Sequence, residues 1–465
     1  GVGSFMCGYN KVSRVWACEN RDLLTRDLRE ILGFKGYVMS DWGATHSTAL
    51  MDGLDMEMPS DYHMNAALIK QSMAAGVITQ AAVNESVARI LRPMFAVGVM
   101  DELPSTWDWR RLRRNATSEA AAADARRFSA LSTVLLKNDG GLLPLRPGGR
   151  LALLGFAGAN AVVHGGGSGS VFAAFTSTPF EAIRAAAGPR TEVRLQNGTD
   201  HGLAAQLASW ADRAVVFVGT LSAEAADRAS LSLDVGCVAV DSSAQCAGDA
   251  RNQTGLIAAV AAANPRTVVV ASVPGAVLMP WSGLVPAILT NFLPGQQAGN
   301  AIADVLFGKV NPSAKLPLTF PNVENELGLS RAQWPGLLSS AYYTERLLVG
   351  YRYYDAHGIN FTTGFPFGHG LSYTSFRYSG LALRDMTVSF TVTNVGNVSG
   401  AEVAQLYLGF PAPAGEPPLQ LRGFRKTRAL APGEGQAVRL RLRPRDLSIW
   451  DTASHGWSRV EGEFK

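Results

Sequence analysis

The sequence predicts an α/β plus β fold class, and three observations carry that prediction. Short apolar segments alternate with amphipathic helical segments over residues 1–100 and again over 126–321, a pattern that favours βαβ units with parallel strands. After residue 376 the hydrophobic period changes to two, which is typical of a β-sandwich. The chain has 465 residues, 47% hydrophobic and 17% charged, enough apolar material for several buried cores.

The first 100 residues form the first predicted domain. The predicted strands are 4–9, 36–40 and 54–58, and the predicted helices are 20–32, 65–73 and 81–95. Each helical segment carries apolar residues at helical spacing, whereas each strand is a brief apolar run. Three strands cannot close a barrel, so the domain is expected to be part of one.

Residues 101–125 are predicted to be a linker, and residues 126–321 a second α/β domain. Its clearest strands and helices are predicted at 150–155, 213–219, 267–272 and 287–291, and at 255–263 and 299–307. Residues 322–375 are expected to connect this domain to a C-terminal β-domain over 376–465, which lacks a closing strand. Its clearest strands are predicted at 386–394, 401–409 and 436–442.

Charge and hydropathy exclude two classes of partner. The net charge is only +4, and the one basic cluster, at 110–114, fits a solvated linker better than a nucleic-acid patch. The longest apolar stretch, 255–276, is interrupted by Asn264, Pro265 and Arg266, so no transmembrane helix is predicted. We expect neither a nucleic-acid nor a membrane partner, and the oligomeric state cannot be inferred.

Cysteine and asparagine patterns bear on the compartment. The four cysteines form two close pairs, Cys7 with Cys18 and Cys237 with Cys246, without the spacing of a zinc site. Short-loop disulfides and buried free thiols remain alternative interpretations. Six N-x-S/T sequons favour a secreted, glycosylated product; they start at Asn84, Asn115, Asn197, Asn252, Asn360 and Asn397.

Common nucleotide-binding and hydrolase motifs are missing from the sequence. Two carboxylates remain as candidate catalytic residues. Asp41 ends the predicted strand 36–40, and the carboxyl ends of barrel strands are where such barrels do chemistry; the alternative is a helix N-cap. Glu224 follows the apolar strand 213–219, and by itself it fits an ordinary surface glutamate better than a catalytic one. Asp227 and Arg228 beside it could form a structural ion pair.

Several segments together resemble glycoside hydrolase family 3, most closely its fungal-type secreted β-glucosidases. They occur in the family's order, at 5–46 (FMCGYNKVSRVWACENRDLLTRDLREILGFKGYVMSDWGATH), 137–145 (KNDGGLLPL), 165–171 (GGGSGSV), 311–321 (NPSAKLPLTFP), 350–355 (GYRYYD) and 367–376 (FGHGLSYTSF). The resemblance implies the C-terminal part of a TIM-like (β/α) barrel, an α/β sandwich domain and a fibronectin-III-like β-sandwich.

The resemblance also assigns candidate site residues. Asp41 matches the family's nucleophile and Glu224 its acid/base. The family's S-G-E-G loop reads Ser222 to Ala225 here, with both glycines replaced by alanine, which stiffens the loop. Candidate substrate-binding residues are Tyr9, Trp42, Met6 and Ser168.

The chemistry implied is double displacement with retention of configuration, which needs a nucleophilic carboxylate and an acid/base of raised pKa but no metal or organic cofactor. The expected activity is exo-hydrolysis of terminal β-D-glucosyl residues from cello-oligosaccharides and related β-glucosides. Trp42 favours a glucosidase over the alternative β-xylosidase or arabinosidase. A non-catalytic carbohydrate-binding relative is the other alternative.

The family's earlier barrel strands have no counterpart in this sequence, a difference on the order of 200 residues. The chain is therefore interpreted as a fragment of a longer product or as a degenerate relative. An open partial barrel exposes strand edges, so the isolated 465-residue chain is expected to be unstable or inactive.

Overall fold

The computed structural model describes residues 2–101, 117–171, 173–225, 227–235 and 252–465. The chain divides into two compact units, residues 1–115 and 116–465, and each is described by itself. The basic cluster at 110–114 and the pair Cys237 and Cys246 lie outside the described residues. The domain boundaries within residues 116–465 remain predictions.

Unit 1 (residues 1–115) contains short strands followed by helical segments, as expected. Its strands are β1 (Ser4–Cys7), β2 (Lys11–Val12), β3 (Val15–Trp16) and β4 (Tyr37–Ser40). Its main helices are a π-helix at Asp22–Ile31, α1 (Ala66–Ala74) and α2 (Gln80–Ala96). β1 and β4 pair in parallel, which confirms the predicted strand direction.

The third predicted strand, 54–58, is reduced to an isolated parallel bridge between Met39 and Met56. The Asp55 carboxylate accepts the Val38 N–H at 2.8 Å. Because a side chain takes this backbone donor, the ladder beside β4 stays short.

The core of unit 1 is small and contains one buried charge cluster. Asp55 has a fully buried side chain and pairs with Arg29 at 2.6 Å and with Arg89 at 2.9 Å. Burial lowers the pKa of Arg29, although the Asp55 charge opposes the shift. This three-residue cluster joins the π-helix, the segment after β4 and α2.

A disulfide joins Cys7 to Cys18 across a sequence separation of 11 residues. For this pair the disulfide interpretation is therefore confirmed over that of buried free thiols. The loop that it closes contains Tyr9 and the hairpin of β2 with β3. A further backbone bond, from Ala17 N–H to Asn10 O at 3.0 Å, ties the base of the hairpin.

Unit 2 (residues 116–465) begins with a six-stranded sheet in the order β5-β10-β9-β8-β6-β7, in which β5 alone is antiparallel to its neighbour. These strands are β5 (Val134–Asn138), β6 (Gly149–Leu154), β7 (Thr191–Gln196), β8 (Arg213–Gly219), β9 (Thr267–Ser272) and β10 (Ala287–Thr290). The predicted strands at 150–155, 213–219, 267–272 and 287–291 are therefore confirmed.

Helices cover both faces of this sheet, so it is an α/β sandwich. They are α3 (Glu119–Ser132), α4 (Phe156–Ala159), α5 (Pro179–Ala187), α6 (His201–Trp210), α7 (Gln253–Ala263) and α8 (Ala298–Leu306). One core cluster joins Val215 and Phe217 to α3, α5 and α8, and the other joins Ala214, Val216 and Val218 to α6 and α7. Alternate residues of β8 thus face opposite layers.

Helix α9 (Tyr351–His357) precedes a set of antiparallel strands. These strands are β11 (Phe376–Arg384), β12 (Thr387–Asn394), β13 (Val403–Leu408), β14 (Gln420–Lys426), β15 (Gly435–Arg441), β16 (Ser448–Asp451) and β17 (Gly456–Arg459). The sheet β11-β12-β15 and the pair β13-β14 enclose a core that includes Val392, Ala404 and Val438. The period-two segments are therefore strands of a β-sandwich.

Candidate active site

Asp41 lies directly after β4, at the carboxyl end of a parallel strand pair. Its Oδ1 accepts hydrogen bonds from the Tyr9 hydroxyl at 2.8 Å and from the Trp42 N–H at 2.7 Å. Among the described residues of unit 1, no hydrogen-bond donor reaches Oδ2. One carboxylate oxygen is thus held by two donors, while the other is left for a ligand.

The N-cap interpretation of Asp41 is wrong. The next helical segment is a 3-10 turn at Ala49–Asp52, and its N-cap residue is Thr48. The Asp41 side chain instead bonds the N–H of its own neighbour, which leaves no structural role as a helix cap.

Of the three substrate-binding candidates in unit 1, two lie at Asp41. Tyr9 follows the end of β1 and Trp42 follows Asp41, so both lie at the carboxyl edge of the strand pair; both residues are 53% exposed. Met6 lies within β1 opposite Met39 of β4, and it lines a cavity of about 350 Å³ with Leu28 and Val38. A role for Met6 in substrate binding stays a prediction.

Glu224 lies on the loop that follows β8 in unit 2, paired with the glycine-rich segment at 165–169. The two segments form a parallel bridge between Gly166 and Ala223, and the Gly166 N–H donates to Ser222 O at 3.1 Å. Gly167 has φ +76°, and a Cβ there would collide with Glu224. The glycine at 167 is therefore required for the approach of the two loops.

Ser168 is the direct partner of Glu224. Both its hydroxyl and its N–H donate to Glu224 Oε2, the N–H at 2.8 Å. These two hydrogen bonds lower the pKa of Glu224, and the bond from the Ser168 hydroxyl has the larger effect. The expectation of a raised pKa is therefore wrong for this arrangement, because two donors stabilise the ionised form.

The ion-pair interpretation of Arg228 is also wrong within the described residues. Its guanidinium donates to Ala276 O at 2.9 Å, and no ion pair with Asp227 forms. The Glu224 loop is instead anchored to backbone beyond β9.

The described residues contain neither a group of three His, Cys, Asp or Glu side chains arranged for a metal ion nor a helix long and apolar enough to cross a membrane. Sequence reasoning missed the bridge between Gly166 and Ala223 and the close approach of Gly167 to Glu224. The run of glycines at 165–169 was the available signal, since it allows close approach of another loop.

Comparison with known families gives three consecutive matches. The profile described as "Glycosyl hydrolase family 3 C-terminal domain" matches residues 133–373, more than half of the chain. The chain belongs to glycosyl hydrolase family 3. The family's N-terminal domain profile matches residues 1–93, and a "Fibronectin type III-like domain" profile matches 402–465. The predicted combination of barrel part, α/β sandwich and fibronectin-III-like domain is confirmed.

Relatives of this family 3 chain include curated sequences and solved structures. "Probable beta-glucosidase L" of Aspergillus terreus is 36% identical, with 100% of this chain and 69% of that protein covered. The structure of DesR, a β-glucosidase from Streptomyces venezuelae in complex with D-glucose, has a TM-score of 0.89 at 28% identity and covers 100% of this chain and 74% of DesR. The β-D-glucoside glucohydrolase of Trichoderma reesei has a TM-score of 0.83 at 32% identity, with 100% and 70% covered.

The alanine substitutions in the Glu224 loop of this family 3 chain are not equivalent. Ala225 has φ +61°, whereas Ala223 has no positive φ. We expect Ala225→Gly to raise the free energy of unfolding by about 0.5–1 kcal/mol, because glycine removes the left-handed strain. Urea unfolding measures the difference.

Ala223→Gly is the matched control for Ala225→Gly. It adds chain freedom without relieving strain, so it should lower the free energy of unfolding by about 0.5–1 kcal/mol. Equal effects of the two substitutions would contradict the assignment of strain to Ala225.

Proposed function

We propose that this chain carries the nucleophile and the acid/base of a retaining exo-β-glucosidase that acts on cello-oligosaccharides and related β-glucosides. The observation that carries the proposal is Asp41 at the carboxyl edge of a parallel strand pair, with Oδ1 bound by Tyr9 and Trp42 and Oδ2 without a donor from the described residues. A nucleophilic carboxylate needs this combination of fixed orientation and one free oxygen.

In the proposed reaction, Asp41 Oδ2 attacks the anomeric carbon while Glu224 donates a proton to the leaving oxygen. This step breaks the glycosidic bond and forms a covalent glycosyl ester on Asp41. Glu224, now ionised, takes a proton from water, and the water oxygen displaces Asp41 with a second inversion. No metal or organic cofactor takes part.

Tyr9 and Ser168 have different parts in this scheme. The Tyr9 hydroxyl orients the Asp41 carboxylate through its bond to Oδ1. Ser168 stabilises ionised Glu224, which suits its role as base in the second step. Trp42 supplies an exposed indole for the apolar face of a sugar.

The test is hydrolysis by the complete gene product that contains this chain. We expect para-nitrophenyl β-D-glucoside to be cleaved faster than the matching β-D-xyloside and α-L-arabinofuranoside, with the β-anomer of glucose released first in the ¹H NMR spectrum. A preference for the xyloside would favour the xylosidase alternative. Sugar binding without turnover of any of the three substrates would favour the non-catalytic carbohydrate-binding alternative.

Ser168→Ala should change the pH profile. Loss of the hydroxyl bond raises the pKa of Glu224, because the largest cause of its lowered pKa is removed. The acid step needs protonated Glu224 and is lost as pH rises through that pKa, so the basic limb of kcat/KM should move to higher pH. Ser170→Ala, two residues away on the same segment, is the control. An unchanged basic limb in Ser168→Ala would contradict the role.

We also propose that the protein is secreted and N-glycosylated. The Cys7–Cys18 disulfide supports an oxidising compartment. All sequon asparagines within the described residues are exposed, and these are Asn84, Asn197, Asn252, Asn360 and Asn397. Peptide mapping of the protein from culture medium, before and after endoglycosidase treatment, tests the proposal; unmodified asparagines at all five positions would overturn the glycosylation part.

A further inference from the structure

A cavity of unit 2 lies between the α9 region and strand β13, and no residue of the Glu224 loop lines it. Its volume is about 380 Å³, within the range of about 300–1,000 Å³ typical of small-molecule sites. Aromatic residues make up 9% of the chain but five of the eleven lining residues: Tyr351, Tyr354, Phe361, Phe367 and Tyr407. The cavity lining is therefore enriched in aromatic residues relative to the chain as a whole.

The rings are held in place by contacts among themselves and with the backbone. Tyr351 stacks on Phe367, with centroids 4.7 Å apart, and meets the edge of Tyr407 at 5.9 Å. The Tyr351 hydroxyl accepts the Leu421 N–H at 2.9 Å, which leaves its own proton for another acceptor. The cavity is therefore preorganised rather than a gap between mobile side chains.

The polar groups of the cavity are concentrated beside Tyr407. Asp355 is exposed, and its carboxylate forms neither a hydrogen bond nor an ion pair with any described side chain or backbone group; partial burial raises its pKa. The Tyr407 hydroxyl donates to Gln405 Oε1 at 2.8 Å, and Gln405 Nε2 donates to Gly368 O at 3.0 Å. A free carboxylate, a phenol oxygen and the second amide proton of Gln405 thus remain for a ligand.

The charge of the cavity favours a neutral ligand with many hydroxyl groups. Asp355 is its one acidic residue, and its one basic residue, His369, has a pKa lowered chiefly by burial. The lining thus holds a carboxylate but no Lys or Arg side chain, a composition that disfavours uronic acids and phosphates. A carboxylate beside a phenol and an amide suits neighbouring hydroxyls, while aromatic rings suit the C–H face of a sugar.

We propose that this cavity is an accessory binding site for a neutral pyranose, such as the terminal glucosyl unit of an oligosaccharide. The rings contact the apolar face of the sugar, and Asp355, Tyr407 and Gln405 bind its hydroxyls. Neither Asp41 nor Glu224 is among its lining residues, and the proposal does not depend on the proposed function.

The test is calorimetric titration of cellotriose into the complete gene product carrying Asp41→Asn, which prevents turnover. In this background, we expect Asp355→Ala and Tyr407→Phe each to raise the Kd for cellotriose at one class of site at least tenfold. Glu461→Ala removes an exposed carboxylate of the same unit and should leave binding unchanged. Binding curves of Asp355→Ala and Tyr407→Phe that match that of Glu461→Ala would overturn the proposal.

Two further arms separate the alternatives. With Asp41 intact, Asp355→Ala should keep kcat and KM for the aryl glucoside within twofold of the parent. If neither the parent nor any variant hydrolyses the aryl glucoside, the proposed function fails. The cellotriose titrations then still test the accessory site. Tetramethylammonium is the probe for a cation site formed by the rings and Asp355. Binding of this cation that depends on Asp355, without cellotriose binding, would overturn the sugar assignment.

Discussion

Asp41→Asn is expected to reduce kcat/KM for para-nitrophenyl β-D-glucoside by about 10⁴-fold or more. The amide retains the size of the carboxylate and can still accept the Tyr9 and Trp42 hydrogen bonds seen at Oδ1. It cannot form the glycosyl ester that double displacement requires. Steady-state kinetics of the purified complete gene product measure the loss.

Asp61→Asn is the matched control for Asp41→Asn, since Asp61 is exposed in the same unit; it should retain full activity. A second variant tests the nucleophile directly. In Asp41→Ala, sodium azide should restore turnover and give the α-glucosyl azide, because one inversion replaces two. More than a tenth of parental activity in Asp41→Asn would contradict the assignment of Asp41.

Asp55→Ala is expected to lower the free energy of unfolding by about 3–5 kcal/mol, because it leaves two guanidinium groups without their shared buried partner. Arg29 and Arg89 side chains are only 11% and 14% exposed beside the fully buried Asp55 side chain. The loss also frees the Val38 N–H that the carboxylate binds. Urea unfolding followed by tryptophan fluorescence measures the change.

Glu85→Gln provides the control for Asp55→Ala on the same arginine. Glu85 pairs with Arg89 at 3.0 Å, but its side chain is 70% exposed. Loss of such a surface pair costs about 0–1 kcal/mol. Similar effects of Asp55→Ala and Glu85→Gln would show that burial does not strengthen the cluster, contrary to our expectation.

Prediction of the fold from the sequence succeeded where burial leaves a clear pattern. The strands at 213–219 and 267–272 are buried on both faces, so their apolar runs are continuous. β7, at the edge of the same sheet, alternates buried or half-buried with exposed residues at its start and was missed. β5 was also missed, since five residues ending in Lys137 and Asn138 are a weak strand pattern.

The candidate site shows the same division between local and long-range information. Asp41 was found because the strand end that exposes it is adjacent in sequence. The lowered pKa of Glu224 was missed because its cause, Ser168, is 56 residues away. The buried cluster around Asp55 was not predicted for a similar reason, since its arginine partners lie 26 and 34 residues away in the sequence.

The Cys7–Cys18 disulfide links protein production to catalysis. The loop that it closes contains Tyr9, the residue whose hydroxyl orients the Asp41 carboxylate. In a reducing cytosol the two thiols stay apart, and the loop regains the conformational freedom that the crosslink removes. The redox state of the expression host therefore affects the geometry of the active site. In protein made without oxidation, the Asp41 carboxylate should be imperfectly oriented.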